Sequence, residues 1–376
     1  MFDCIVVGAG PAGSTAAYQL AKAGRSVLLL EKASLPRYKP CSGAVSPSIA
    51  KWFDFDFEPA IDLKVRRVRY TWKLGDTVDA ELQTSEPIWM VRREVFDQFL
   101  VTQAQQQGAE LKDAAAVTGI EFQGDSWLVK TALEHFSGRY LVAADGAEGP
   151  MASWLGFKSY KLRRAAVLEV KTAEPTTDSA ISFEFGLVKN GCLWSFPKAQ
   201  GYSIGASAFL GSDLKDSRQP LSQYVPSFGV SLEQGQLYHH ALNLWERPRP
   251  LHTQRAVLAG EAAAMVDPLS AEGIRPAILS GLKAAEATDR ALSGDSGALA
   301  DYTALLQTEW GADMQWAQRI ASVFFRVPSI GYRVGIKRPS ATERLGQLLA
   351  GDIQYSDIAN RVIKRITVGL IPGRGG

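Results

Sequence analysis

The chain has 376 residues, 46% of them hydrophobic and 21% charged, with no long polar or low-complexity tract, which excludes extended disorder and leaves room for two interleaved domains. A formal net charge of +2 is too small for a nucleic-acid binder, although residues 319–376 carry ten Lys or Arg against three Asp or Glu and leave the remainder acidic. Three scattered cysteines, Cys4, Cys41 and Cys192, and four unclustered histidines exclude a disulfide framework and offer no metal-ligand spacing, so no metal is expected. Met1 to Asp3 leave no room for a basic leader before the first strand, and no run reaches the roughly 18 apolar residues of a spanning helix. The expected compartment is the cytoplasm, with any membrane contact peripheral.

Cys4 to Val7 is a short apolar run of strand type, followed by Gly8-Ala9-Gly10-Pro11-Ala12-Gly13 and a helical stretch from Ser14 to Ala23 that Gly24 closes. Gly8 permits the tight turn, Gly10 lets the backbone approach a pyrophosphate, and Gly13 lets the helix pack closely on the strand. The helix N-terminus then offers unpaired N–H groups and partial positive charge to phosphates. A second strand, Ser26 to Leu30, ends in Glu31, whose carboxylate is placed to accept from the ribose hydroxyls of an adenosine. Strand, glycine turn, helix and acid in register weigh against an ordinary glycine-rich turn. They do not separate a nicotinamide dinucleotide from FAD.

Two later segments decide for FAD. Arg139 to Ala144 reads as a strand running into Asp145-Gly146, and Arg255 to Ala259 as another running into Gly260-Glu261-Ala262-Ala263. A long helix, Ile274 to Leu292, starts just after Glu272-Gly273 and aims a second N-terminus at something electron-rich, which suits the pyrimidine edge of a flavin. The acid after the strand would hold the ribityl chain.

With these segments in place the chain resembles the flavoprotein hydroxylase superfamily and, within it, the geranylgeranyl reductase family, over its whole length. The family's fingerprint and ribose acid match Gly8, Gly10, Gly13 and Glu31, and its Pro-x-x-Lys-x-Cys-x-Gly loop matches Pro36, Lys39, Cys41 and Gly43. Its Arg-x-x-Phe-Asp-x-x-Leu helix start matches Arg93, Phe96, Asp97 and Leu100, its Asp-Gly pair Asp145-Gly146, and its Pro-x-x-Gly-Glu-Gly-Ile segment Pro268 to Ile274. The resemblance implies that Arg93 touches the cofactor; the plain alternative is a solvated residue in a charged helix start. Two departures stand out: the family's Gly-Asp is Gly260-Glu261, and the glycine before Glu-Gly-Ile is Ala271. A glutamate one methylene longer requires the backbone to retreat or a water to bridge the ribityl contact. The expected cofactor-binding set is Gly8, Gly10, Pro11, Ala12, Gly13, Glu31, Lys32, Lys39, Cys41, Gly43, Arg93, Val117, Asp145, Gly146, Gly260, Glu261, Pro268, Gly273 and Ile274.

Between the flavin motifs lie alternating runs of strand type: Val65 to Trp72, Thr77 to Leu82, Ala165 to Lys171, Ile181 to Phe185, Cys192 to Phe196 and Tyr202 to Phe209. Their aromatics suffice to line an apolar cavity, though most would serve as ordinary core. The family's Tyr-x-Trp-x-Phe-Pro and Gly-x-Gly appear as Cys192-Leu193-Trp194-Ser195-Phe196-Pro197 and Gly205-Ala206-Ser207. The resemblance places Trp194 in the substrate tunnel and Cys41 near flavin and substrate. Cys41 is then a catalytic or substrate-positioning group, or a small residue that fits its loop. The last quarter reads as helices over Leu299 to Phe325, Thr342 to Leu349 and Asp357 to Leu370, with Pro328 and Pro339 as breaks and Arg319, Arg326 and Arg333 as a basic face able to rest on anionic lipid.

The expected architecture is α/β: a Rossmann-like FAD-binding domain (residues 1–64, 91–160 and 250–295) interleaved with an antiparallel-sheet substrate domain (65–90 and 161–249), followed by a helical C-terminal region (296–376). The implied activity is hydrogen addition across a carbon–carbon double bond of a geranylgeranyl or related prenyl substrate, with NADPH or a reduced ferredoxin as electron donor. A flavin monooxygenase or halogenase shares the fold, and the missing first tryptophan of the halogenase Trp-x-Trp-x-Ile-Pro motif argues only against halogenation. A prenyl-binding flavoprotein without activity is the third reading.

Overall fold

The computed structural model describes residues 1–158, 161–173, 180–211 and 213–359 and divides into two compact units, each assembled from three stretches of chain. The first unit comprises residues 1–39, 93–162 and 242–312; the second comprises 40–92, 163–241 and 313–376.

The first unit is built on a parallel sheet. Its strands run in the order Ala256–Leu258, His135–Ala143, Phe2–Val7, Val27–Leu30 and Glu110–Lys112, with His252–Thr253 antiparallel at one edge. Cys4, Ile5, Val6 and Leu28 to Leu30 have no exposed surface, as strands covered on both faces require. The helix Pro11–Lys22 crosses from the first strand to the second and packs on Ile274–Leu292 so closely that a Cβ added at Gly281 would overlap the carbonyl oxygen of Ala12. The strand Phe2–Val7 has its sequence neighbour on one side and His135–Ala143 on the other, so the order reverses there and opens a crevice at the carboxyl ends of the strands. A hairpin, Val117–Gln123 with Ser126–Thr131, extends the sheet from His135–Ala143; it was not among the expected strands, although alternating apolar residues around Gly124-Asp125 mark it.

The second unit holds a seven-stranded sheet in the order Gly235–Leu242, Arg163–Val170, Gly201–Ala208, Gly191–Lys198, Ala180–Phe185, Arg67–Trp72 and Gly75–Glu81. It is antiparallel over most of its width, with one parallel pair between Ala180–Phe185 and Arg67–Trp72. Leu168, Leu193, Ile204, Leu221 and Tyr224 form the apolar core on one face. On the other face alternation places Trp194 and Phe196 beside Phe183 and Tyr70. Residues 40–64, expected with the FAD-binding domain, lie in this unit because Ala44–Val45 and Leu63–Val65 pair on either side of Ile88–Met90 in a small second sheet. Residues 313–359 also belong here: Phe324 and Phe325 pack edge-on and tilted against Phe185 and Phe209, with ring centroids 5.2 and 5.0 Å apart.

The long C-terminal helix is interrupted. Ala298–Leu305 passes through a π-helical stretch, Leu306–Gly311, into Ala312–Arg326. Pro328 and Pro339 each occupy the first position of a new helix, where a missing N–H costs nothing. The expected helix Asp357 to Leu370 falls mostly outside the described residues.

Candidate active site

Four motifs stand at the carboxyl ends of four adjacent parallel strands in the first unit: Gly8 after Val7, Glu31 after Leu30, Asp145 after Ala143-Ala144, and Gly260 after Leu258-Ala259. The crevice they line is closed by backbone contact. Gly8 has φ +102°, and a Cβ there would overlap the carbonyl oxygen of Ala144, while one on Gly13 would overlap that of Gly8. Gly10 is open except for Arg37, 3.9 Å from where its Cβ would lie. The helix Pro11–Lys22 has no side-chain cap and no acid in its first turn, so its N–H groups and positive end point to an anion. Pro11 and Ala12 open that helix and are buried.

Glu31 is 4% exposed and accepts hydrogen bonds from the backbone N–H of Ala9 at 2.9 Å and of Ala33 at 3.1 Å. Its carboxylate also meets Arg37 at 3.3 Å, and Arg37 reaches Asp97 at 2.9 Å. Arg93 grips Asp97 with two bonds of 2.7 Å, and both side chains are buried. Burial alone would raise the Asp97 carboxyl, but the charges and hydrogen bonds of Arg93, with Arg37 behind them, hold it below the usual range. Arg93 therefore helps build a four-membered charge chain leading to Glu31. Arg37 and Asp97 were not among the expected cofactor-binding residues, although Asp97 belongs to the motif that starts at Arg93; for Arg37 the only sequence signal was an arginine beside Pro36. Lys32 is exposed next to Glu31, and Val117 begins its strand two residues after Ala115, whose N–H donates to the Glu31 carbonyl at 2.8 Å.

At the other end of the crevice Lys39 pairs with Glu261 at 3.0 Å, and its ammonium lies 3.9 Å from where a Cβ on Gly146 would be. The longer acid is thus engaged by a lysine, and its loop is held by two further bonds: the Glu261 carbonyl accepts from Asn243 Nδ2 at 2.8 Å and Gly260 N–H donates to Ser280 Oγ at 2.8 Å. Asp145 accepts from Met151 N–H at 2.9 Å through one oxygen, and burial pushes its carboxyl up to about 6 against that bond. Asp145 Oδ1, Asn243 Oδ1 and Ser14 Oγ are buried with no hydrogen-bond partner among the described residues. Pro268 lies in a tight turn in which Asp267 accepts from the N–H groups of Leu269 and Ser270 at 2.7 and 3.1 Å. Ala271 adopts φ +58°, a conformation suited to glycine, and Gly273 caps the helix starting at Ile274 without a side-chain bond. A glycine cradle, two uncapped helix N-termini and buried polar atoms awaiting partners fit an elongated anionic cofactor rich in hydroxyls.

The remaining expected residues, Cys41, Gly43 and Trp194, belong to the second unit. Cys41 is half-buried and its sulfur accepts from Gly43 N–H at 3.4 Å. Gly43 has φ +74°, and a Cβ would overlap the Val91 carbonyl. Trp194 is 9% exposed and lies flat across Gly205, its register partner, where any Cβ would overlap the indole. Its Nε1 has no acceptor among the described residues. Phe183 stands between Tyr70, stacked at 5.7 Å, and Phe196, edge-on at 5.7 Å, extending this aromatic surface.

The description "FAD binding domain" matches residues 1–192, just over half of the chain. Fold and crevice define an FAD-dependent oxidoreductase. A geranylgeranyl diphosphate reductase of Rhodobacter capsulatus is 31% identical over 310 residues, 76% of this chain and 74% of that one. A digeranylgeranylglycerophospholipid reductase of Methanocaldococcus jannaschii is 27% identical over 315 residues, 78% of each. Among solved structures, a geranylgeranyl bacteriochlorophyll reductase-like protein of Thermoplasma acidophilum shares the fold with a TM-score of 0.78 at 21% identity, covering 98% of this chain and 96% of the other. A flavin-dependent brominase does so with a TM-score of 0.74 at 20% identity, covering 96% and 98%. The chain belongs to the geranylgeranyl reductase family of flavoproteins.

Proposed function

We propose that the protein reduces carbon–carbon double bonds of a geranylgeranyl or related polyprenyl substrate, using FAD held by the first unit. The observation that carries this reading is the aromatic sheet face of the second unit, where Trp194, Phe183, Phe196 and Tyr70 lie side by side. The names of the relatives support the same substrate class. Glu31 would take the ribose hydroxyls, the N-terminus of Pro11–Lys22 the pyrophosphate, and Lys39, Asp145 and Glu261 the stretch toward the ring. Reduced FAD, when bound, supplies a hydride.

The chain's own residues then have to orient the alkene, keep water away and deliver a proton to the second carbon. Trp194 serves orientation. Cys41 serves either as the acid or as a small wall beside the alkene, and substitution by Ser and Ala separates these roles, because an alcohol is a far weaker acid than a thiol. The electron donor is NADPH or a reduced ferredoxin. Arg319, Arg326 and the basic residues beyond them would rest on an anionic lipid surface and receive the substrate there; among the described residues no helix is long and apolar enough to cross a membrane.

The test is anaerobic reduction of the flavin by dithionite, addition of geranylgeranyl diphosphate, and mass analysis of the product. A gain of two hydrogens with flavin reoxidation is the expected result. The likeness to a brominase keeps oxygen chemistry as the second reading, and product oxygenation in air, with no hydrogenated product without it, would establish that reading instead.

A further inference from the structure

Lys198 ends the strand Gly191–Lys198, and alternation puts it on the same face as Trp194 and Phe196. It follows directly on Phe196-Pro197, yet it is only 7% exposed. A lysine at that depth must exchange its hydration for protein acceptors. Its ammonium donates to the carbonyl of Ser42 at 2.6 Å and to the carbonyl of Val91 at 3.0 Å. Those two carbonyls flank the hydrogen bond from Val91 N–H to the Gly43 carbonyl at 2.7 Å. The ammonium also fills the space a side chain at Gly43 would need. The turn that carries Cys41 is therefore fastened from one side by Val91 and from the other by Lys198, and the Gly43 N–H that donates to the Cys41 sulfur sits inside the fastening.

We propose that Lys198 is a positioning residue that fixes the Cys41–Gly43 turn relative to Trp194, so that a single strand sets the geometry of both residues expected to serve the substrate. This rests on the proposed prenyl reduction for its kinetic consequence, but not for its structural one. Without the ammonium, the Ser42 and Val91 carbonyls lose a buried donor and the turn becomes free to move. Arginine keeps a positive donor there and should restore part of the restraint, whereas methionine keeps only the stem.

Two measurements test this. The first is alkylation of the native, FAD-loaded protein by iodoacetamide, with modified sites read by peptide mass analysis. It reports on Cys41, since Cys4 and Cys192 are buried and burial raises both thiols, that of Cys192 to about 12. Lys198→Met should raise the Cys41 rate at least fivefold and Lys198→Arg by less; equal rates in all three proteins would overturn the proposal. The second is single-turnover reoxidation of the reduced enzyme by geranylgeranyl diphosphate without oxygen. Lys198→Met should lower the maximal rate at unchanged flavin content and cost little more in a Cys41→Ala background. Fully multiplicative losses in that background would show that Lys198 does not act through the Cys41 turn. Should the parent not react with geranylgeranyl diphosphate, the reading of function fails while the alkylation result still decides the role of Lys198.

Discussion

The first unit arranges its functional groups at strand ends, where backbone atoms set the geometry; the second arranges them on a sheet face, where side chains rest on other side chains. Gly8 and Gly13 face carbonyl oxygens of Ala144 and Gly8, whereas Gly205 faces the indole of Trp194. A backbone obstacle cannot move without moving a strand, and an indole can rotate away. Gly8 and Gly13 should thus tolerate almost no change, while the aromatic face around Gly205 should accept change by altering what it binds.

Gly13→Ala is the severest way to test that contrast. The added methyl meets a carbonyl, and the expected cost is about 3 kcal/mol or more, with loss of bound flavin; thermal melting and flavin absorbance give the answer. Gly205→Ala should cost about 1–3 kcal/mol, keep its flavin, and change tryptophan fluorescence as Trp194 is displaced. Equal damage from the two substitutions would erase the distinction between the units.

Glu31→Ala should weaken FAD by about 1–3 kcal/mol through loss of a charged hydrogen bond. It also strips acceptors from Ala9 and Ala33 and leaves Arg37 with Asp97 alone, so melting should fall even without cofactor. Retention of flavin through dialysis as complete as in the parent would remove Glu31 from the binding site.

Asp145 makes the comparison pH-dependent. Burial raises its folded pKa to about 6, above the ordinary aspartate value of 3.8, so the stability of the FAD-free protein is greatest when the carboxyl is protonated in both states and falls as pH rises from about 4 to about 6. If its partnerless oxygen accepts a bond from FAD, binding favours the charged form and releases a proton. Affinity should then rise roughly tenfold from pH 5 to pH 7, and Asp145→Asn should flatten the profile. A parent profile that is already flat would show that this oxygen faces something else.

The smallest effect is expected at Ala271. An L-residue at φ +58° costs roughly 1 kcal/mol, so Ala271→Gly should leave melting equal or higher after the added freedom of the unfolded chain is subtracted. A marked loss would mean that the methyl group is packed to advantage.

Much of the crevice was legible because its determinants are local. The glycine fingerprint, Glu31, Asp145-Gly146 and Gly260 each occur where a strand turns into a loop, and the helix Ile274–Leu292 has the ends its sequence predicts. What escaped depends on distant partners. The pairing of Ala44–Val45 and Leu63–Val65 with Ile88–Met90 involves strands of two or three residues, too short to display a period. The Arg93–Asp97 pair is joined to Glu31 through Arg37, which lies 60 residues from Asp97 in the chain. Lys198 looks like the polar end of a strand, and only the carbonyls of Ser42 and Val91 reveal its burial. Trp194 was picked out by its motif, but its flat seat on Gly205 follows from strand register, which no local pattern specifies.

The threefold division of each unit bears on how the protein is made. When the ribosome has produced residue 150, the chain has the Gly8 turn, Glu31 and Asp145, yet the neighbouring strand Ala256–Leu258 and the helix Ile274–Leu292 that brace them do not exist. The Leu141–Ala143 end of the strand His135–Ala143 and the small-residue face of Pro11–Lys22 stay uncovered through the synthesis of another hundred or so residues, most of them destined for the other unit. Such a nascent chain presents an open strand edge and apolar surface for a long interval. Flavin capture therefore waits until the strand Ala256–Leu258 and the helix Ile274–Leu292 have been made.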